Sequence, residues 1–229
     1  MNIKHKKPTL TKKQRHKLRV QQVRRQKIFL TCLFLLIVGC ILLRFSKFSG
    51  RQEEAHQINA ACEAYRDEVS SEAAQYDMSK YVDLILAVMM QESSGQGTDP
   101  MQSSEGAYNT RYPQQPNGIT DPSYSISCGI QELKYALEKA VCTGPTDLAK
   151  IRLALQAYNF GADSYFAYLE ENGQTVWTAQ SAQAFAQMAS GGTQRDEDDP
   201  LHDPAGPWDY GDQYYPDHVL RYYHLDNNS

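Results

Sequence analysis

The chain is 229 residues long, and setting aside the first 50 leaves 179, enough for one globular domain with a sizeable core and too few for two large ones. With 41% hydrophobic residues, 14 Gly and 10 Pro it is neither collagenous nor disordered, and a mean hydropathy of -0.59 excludes a polytopic membrane protein. The net charge of -4 averages two opposites: residues 1–27 carry 11 of the 23 Lys and Arg and no acid, which leaves 12 bases against 27 acids, net -15, in the remainder.

Ile28 to Leu43 holds no charge and is bracketed by Lys27 and Arg44, whose stems can snorkel to two interfaces. A cleaved signal peptide would need a small-x-small site, which the following FSKFSG lacks. A buried core helix would need flanking segments able to surround it. A single-pass anchor over residues 28–44 fits best, and the positive-inside rule then places residues 1–27 in the cytoplasm and everything past Arg44 outside the cell. The basic arm lacks interleaved aromatics and any DNA-binding motif, so setting topology and touching anionic lipid are favoured over nucleic-acid binding. A docking role for a cytoplasmic partner stays open.

After a stalk at 45–54, residues 55–229 read as a single all-α domain. Ile58, Cys62, Tyr65, Val69 and Ala73 predict an amphipathic helix over 55–76. Ser79 is the expected N-cap of a helix from Lys80 to Glu92, whose YVDLILAVMM is apolar nearly all round and must therefore lie centrally. A Gly/Pro/Asn-rich stretch to about Ser123 is long enough to be functional. A third helix is expected from about Ser125 to Cys142, and a fourth after Thr146 to near Gly161. Ala162 to Glu171 and about Val176 to Ala189 follow, then an irregular acidic segment over 193–211, and a last helix from about Asp212 to His224. Cys128 and Cys142 are too far apart on one helix to bridge, and Cys62, on an apolar stripe, is expected to be a buried free thiol.

Nucleotide-binding glycine loops, a G-x-S-x-G elbow, H-E-x-x-H and EF-hand loops are all missing, and the sequence calls for no cofactor. A metal site from His202, Asp203 and His218, or a peptidase built on Cys128 or Cys142, is formally available but has no supporting motif. Paired carboxylates are the stronger pattern. Glu92 ends the most apolar helix, where desolvation favours the protonated form of a general acid, while Asp99 lies in a polar loop and should stay ionised. One neutral and one charged carboxyl across a cleft suit glycosidic cleavage, although E-x6-D is a weak pattern by itself.

The runs Met90-Gln91-Glu92-Ser93-Ser94-Gly95, Asp99-Pro100-Met101-Gln102-Ser103-Ser104-Glu105 and Asp121-Pro122-x-Tyr124-Ser125-Ile126-x-x-Gly129 resemble those of the CwlT-like lysozyme domains of Gram-positive conjugative elements. Ala157-Tyr158-Asn159-x-Gly161 is similar to the signature shared by goose-type lysozymes and soluble lytic transglycosylases, and the closing Tyr210-Gly211-Asp212 and His218-Val219-Leu220-Arg221-Tyr222-Tyr223 match the way such domains end. The resemblance covers about residues 55–225. It implies a lysozyme-like helical fold that hydrolyses the β-1,4 bond between N-acetylmuramic acid and N-acetylglucosamine in peptidoglycan strands. Glu92 would be the general acid and Asp99 the base or stabilising carboxylate, with Met101, Gln102, Tyr158 and Asn159 along the sugar cleft and Ser94 a partner of Glu92. It further implies local opening of the wall for a conjugative secretion apparatus, and the lack of a following NlpC-type domain implies action on glycan, not on peptide stems. A lytic transglycosylase using Glu92 alone, and a wall-binding scaffold without activity, stand as alternatives.

Overall fold

A computed structural model describes residues 56–199 and 202–225. The expected anchor, arm and stalk fall outside these residues, and no helix among the described ones is long and apolar enough to cross a membrane. The described residues are helical, with one isolated bridge between Gln194 and Trp208 and no strand. The helices are α1 (Ala60–Glu63), α2 (Arg66–Gln75), α3 (Val82–Glu92), α4 (Pro122–Lys139), α5 (Leu148–Phe160), α6 (Ala162–Glu171), α7 (Ala179–Ala189) and α8 (Tyr215–Leu220), with a 3₁₀ turn at Ser79–Tyr81 before α3.

α3 is the central rod that its composition demands. Leu84, Ile85, Leu86, Ala87, Val88 and Met89 are all buried, and their neighbours come from α1, α2 and α8. The larger of these side chains contribute roughly 1.5–3 kcal/mol each on leaving water. α5 forms the second axis of the core and packs against α4, α6 and α8. A ring cluster closes the far side, where Phe160 and Tyr165 both lie against Phe185, with centroids 5.2 Å apart in each pair.

Several boundaries differ from expectation because side-chain caps decide them. The helix expected over 55–76 begins at Ala60, where Asn59 caps Cys62 N–H, and it tightens at Tyr65, whose N–H reaches back three residues to Cys62. Ser79 opens the 3₁₀ turn and does not cap α3. α4 starts at Pro122 under Asp121, which accepts from Ser123 and Tyr124 N–H, and Asp147, not Thr146, caps α5. α7 starts three residues late, behind the Thr178–Ser181 capping box. Cys62 is buried, and Cys62, Cys128 and Cys142 are free thiols.

Candidate active site

Glu92 is the last residue of α3, and the chain reverses immediately after it. Ser94 and Gly95 both take left-handed backbone, at φ 55° and 74°, and an added Cβ on Gly95 would lie 2.8 Å from Cys62 N, so glycine is required for the turn to pass α1. Ser93 Oγ donates to Pro100 O at 2.8 Å and accepts from Gly95 N–H, which fixes the loop behind the acid. Asn59 Nδ2 donates to Ser94 O. The Ser94 hydroxyl itself turns to Met90 O at 3.3 Å and not to the Glu92 carboxyl.

Glu92 keeps a strip of surface while protein encloses it on its other sides. That burial is the main force raising its carboxyl to about 7, and Asp212, Asp99 and Glu132 push the same way by charge. The opposing influence is Tyr215, whose hydroxyl donates to Glu92 Oε1 at 2.5 Å and favours the ionised form. Burial wins, so the carboxyl of Glu92 is raised well above its ordinary range, toward neutrality. Tyr215 is itself buried and stacks on Tyr158 with centroids 6.3 Å apart at 23°. Burial, with the neighbouring Glu92 charge, holds both phenols well above their ordinary range, so they act as neutral donors.

Tyr215 is brought to Glu92 by a clamp of side-chain amides. Gln156 Nε2 donates to Asp212 O at 2.8 Å, Asn159 Oδ1 accepts from Asp212 N–H at 2.7 Å, and Gln213 Nε2 donates to Trp208 O and Tyr210 O. Asp212 also contacts His218 Nδ1 at 2.5 Å, which ties His218 to the clamp. Among the described residues no group of His, Cys, Asp and Glu could hold a metal.

Asp99 differs from expectation in its surroundings. It is 2% exposed, and both oxygens are occupied: Oδ1 accepts from Ser103 N–H at 3.0 Å and Ser125 Oγ at 2.6 Å, Oδ2 from Ser104 N–H at 3.1 Å and from Ser104 Oγ. It is the knot of the loop after α3. Met101 is fully buried, with its side chain against Gly129, where an added Cβ would lie 2.6 Å away, and its carbonyl accepts the Tyr158 hydroxyl at 2.9 Å. What Met101 offers the site is that carbonyl, not an apolar wall.

Gln102, Tyr158 and Asn159 do meet. They line a cavity of about 620 Å³ together with Gly106, Tyr108, Glu132 and Tyr210, a size and polarity suited to a saccharide segment. Gln102 is held there by Asp99 O at 3.1 Å and Asn117 Oδ1 at 3.2 Å. Glu92 is not among the residues that line this cavity; it is joined to Tyr158 of the lining through Tyr215, which stacks on Tyr158 and donates to Glu92. Tyr215, Gln156 and Glu132 carry no signature of their own in the sequence. The first falls between the two closing runs, and the others are unremarkable helix residues.

A helical domain whose central helix ends in a desolvated glutamate, held by a tyrosine beside a polar groove, is the architecture of the lysozyme class. The comparisons agree. A family model described as Lysozyme-like matches residues 60–223. The chain is 34% identical over 173 residues to the bifunctional muramidase/DL-endopeptidase CwlT of Bacillus subtilis, which covers 76% of this chain and 43% of that protein. It is 37% identical over 111 residues to the uncharacterized membrane protein YocA of the same organism, 48% of this chain and 45% of that one. It is also 32% identical over 143 residues to pneumococcal vaccine antigen A of Streptococcus pneumoniae, 62% of this chain and 65% of that one. A crystal structure of a lipoprotein of the NLP/P60 family from Staphylococcus aureus superposes with a TM-score of 0.62 at 27% identity, covering 76% of this chain and 56% of that one. The chain spans about half the length of the first curated relatives it matches. It belongs to the Lysozyme-like family and carries a CwlT-like lysozyme domain.

Proposed function

We propose that the domain is a peptidoglycan muramidase that cleaves the β-1,4 bond between N-acetylmuramic acid and N-acetylglucosamine. The observation that carries this reading is Glu92, protonated near neutrality and presented by Tyr215 beside a saccharide-sized groove. Glu92 gives its proton to the glycosidic oxygen as the C1–O bond breaks, and the positive charge that develops on the sugar is left beside the new Glu92 carboxylate. A water then attacks C1, and its proton returns to Glu92. Tyr158 and Asn159 contact the sugars, Gln102 lines the groove floor, and the Met101 carbonyl and Ser94 act through the loop and the ring that they hold. Asp99 serves as the stabilising carboxylate, by anchoring the loop that carries Gln102 and by adding negative charge near Glu92.

The saturation of Asp99 favours a second reading, in which no other group activates water and the muramic C6 hydroxyl attacks C1 to give a 1,6-anhydro end. Digesting purified sacculi with the full chain and identifying the new ends by mass spectrometry tests both. Reducing muramic ends support the muramidase and anhydro ends the transglycosylase, while wall digestion undiminished in Glu92→Gln would overturn either. We place the activity outside the membrane, tethered by residues 28–44, where it would open the wall locally for a conjugative secretion apparatus. The relative named as a membrane protein supports the tether.

A further inference from the structure

α4 ends in a turn in which Cys142 N–H donates to Leu137 O and Val141 N–H to Glu138 O, both at 3.0 Å. This closure puts the residue after the cap in left-handed backbone. α6 and α7 close in the same way with Gly173 and Gly191 at that position, each at φ 63°, and α2 ends on Asp77 at φ 60°. α4 has Val141 there, at φ 56°. A β-branched side chain is a poor choice for that backbone, and this one gains nothing from burial, since it is 71% exposed. Neither backbone preference nor core packing accounts for a valine at 141, which leaves contact with a ligand as its use.

Val141 stands on the rim of a cavity of about 440 Å³ between α4, α5 and α6. The floor is apolar, made by the buried Leu153 and Leu169 together with Phe166. Lys139 and Lys150 stand at the edge, Lys139 Nζ 3.4 Å from Asp163 and Lys150 Nζ donating to Thr175 O at 3.4 Å, while Asp163 and Glu170 are the acids of the lining. Asp163 also lines the glycan groove, whose wall runs through residues 161–164, so the two cavities meet at the first turn of α6. The groove has another neighbour past Ala107 and Tyr108, but its lining is polar, and its one cation, Arg111, lies over the Tyr124 ring. Peptidoglycan brings to such a groove more than sugar, because each muramic acid carries a short peptide of alanyl methyls and free carboxylates. Apolar floor and paired cations beside the groove match that peptide in both respects.

We propose that this cavity seats the peptide stem of the strand lying in the groove, with alanyl methyls against Val141 and the floor and stem carboxylates at Lys139 and Lys150. The stem is held there and not cut. This rests on the reading of the groove as a glycan site.

Val141→Gly removes the contact and suits the left-handed backbone, so folding is preserved, which thermal unfolding checks. With soluble, uncross-linked glycan strands as substrate, the full chain should show a KM roughly fivefold lower when the stems are present than after an amidase has stripped them. In Val141→Gly and in Lys150→Gln that difference should shrink through a higher KM on stem-bearing strands, with kcat and the stripped substrate unaffected. Equal KM values for the two substrates in the unmodified chain, or a difference that survives Val141→Gly, would overturn the proposal. If neither substrate is cut, the glycan reading falls, and the stem is tested alone. Titrating the peptide L-alanyl-γ-D-glutamyl-L-lysine into the full chain should then move the methyl carbon signals of Val141, and unmoved signals overturn the proposal.

Discussion

At Glu92 two neighbours compete for one proton: the enclosing protein favours the neutral acid and the Tyr215 hydroxyl favours the anion. Tyr215→Phe removes only the second, so Glu92 should hold its proton to higher pH. The alkaline fall in glycan cleavage should rise by roughly half to one pH unit. A pH–rate profile measures this, and an unchanged profile would mean that the Tyr215 bond is not made in the working enzyme. Glu92 is legible in the sequence because YVDLILAVMM forces burial on whatever ends that helix. Tyr215 is not, being one of 15 tyrosines and 123 positions away from the acid it serves. Asp99 shows the limit of spacing as a guide. Its distance in sequence from Glu92 says nothing of which way it points, and the hydroxyl that fixes it comes from Ser125 on another helix.

The helices themselves follow from the apolar period and from the stops at Gly161, Asn172-Gly173 and Gly191-Gly192. Their ends are set by caps: Asn59, Asp121 and Asp147 are polar residues among many, and only the folded backbone shows which of them finds free N–H groups. α8 starts later than its sequence suggests because Gln156, Asn159 and Gln213 hold 208–213 as a clamped loop. Two substitutions probe how elements are fitted together. Gly129→Ala would drive a methyl into Met101 where α4 meets the loop, and should destabilise by about 1–3 kcal/mol in a urea titration. Asp99→Asn places an amide donor among the Ser103 and Ser104 N–H groups and two hydroxyls, leaving at least one donor without an acceptor. It should lower stability by about 2–4 kcal/mol and glycan cleavage along with it, measured by thermal unfolding and by release of sugar ends. Full stability in that variant would show that the knot does not hold the loop.

For the molecule as a whole, a raised carboxyl is a debit in neutral solution. Glu92 ionises at its ordinary value of 4.5 when unfolded and at about 7 when folded, so its contribution is most favourable below 4.5, declines between the two, and is lost above about 7. Glu92→Gln should therefore stabilise the fold by up to about 3 kcal/mol at pH 8 and by little at pH 4. Thermal unfolding at the two pH values checks this, and an equal gain at both would exclude desolvation as the cause. The same property has a temporal side. The environment that keeps Glu92 protonated needs α8 docked against α3, a contact between distant parts of the chain that forms late compared with local helices. With α8 undocked, Glu92 loses the enclosure that raises it and becomes an ordinary hydrated carboxylate with no proton to give, so chemical competence arrives only with the finished structure.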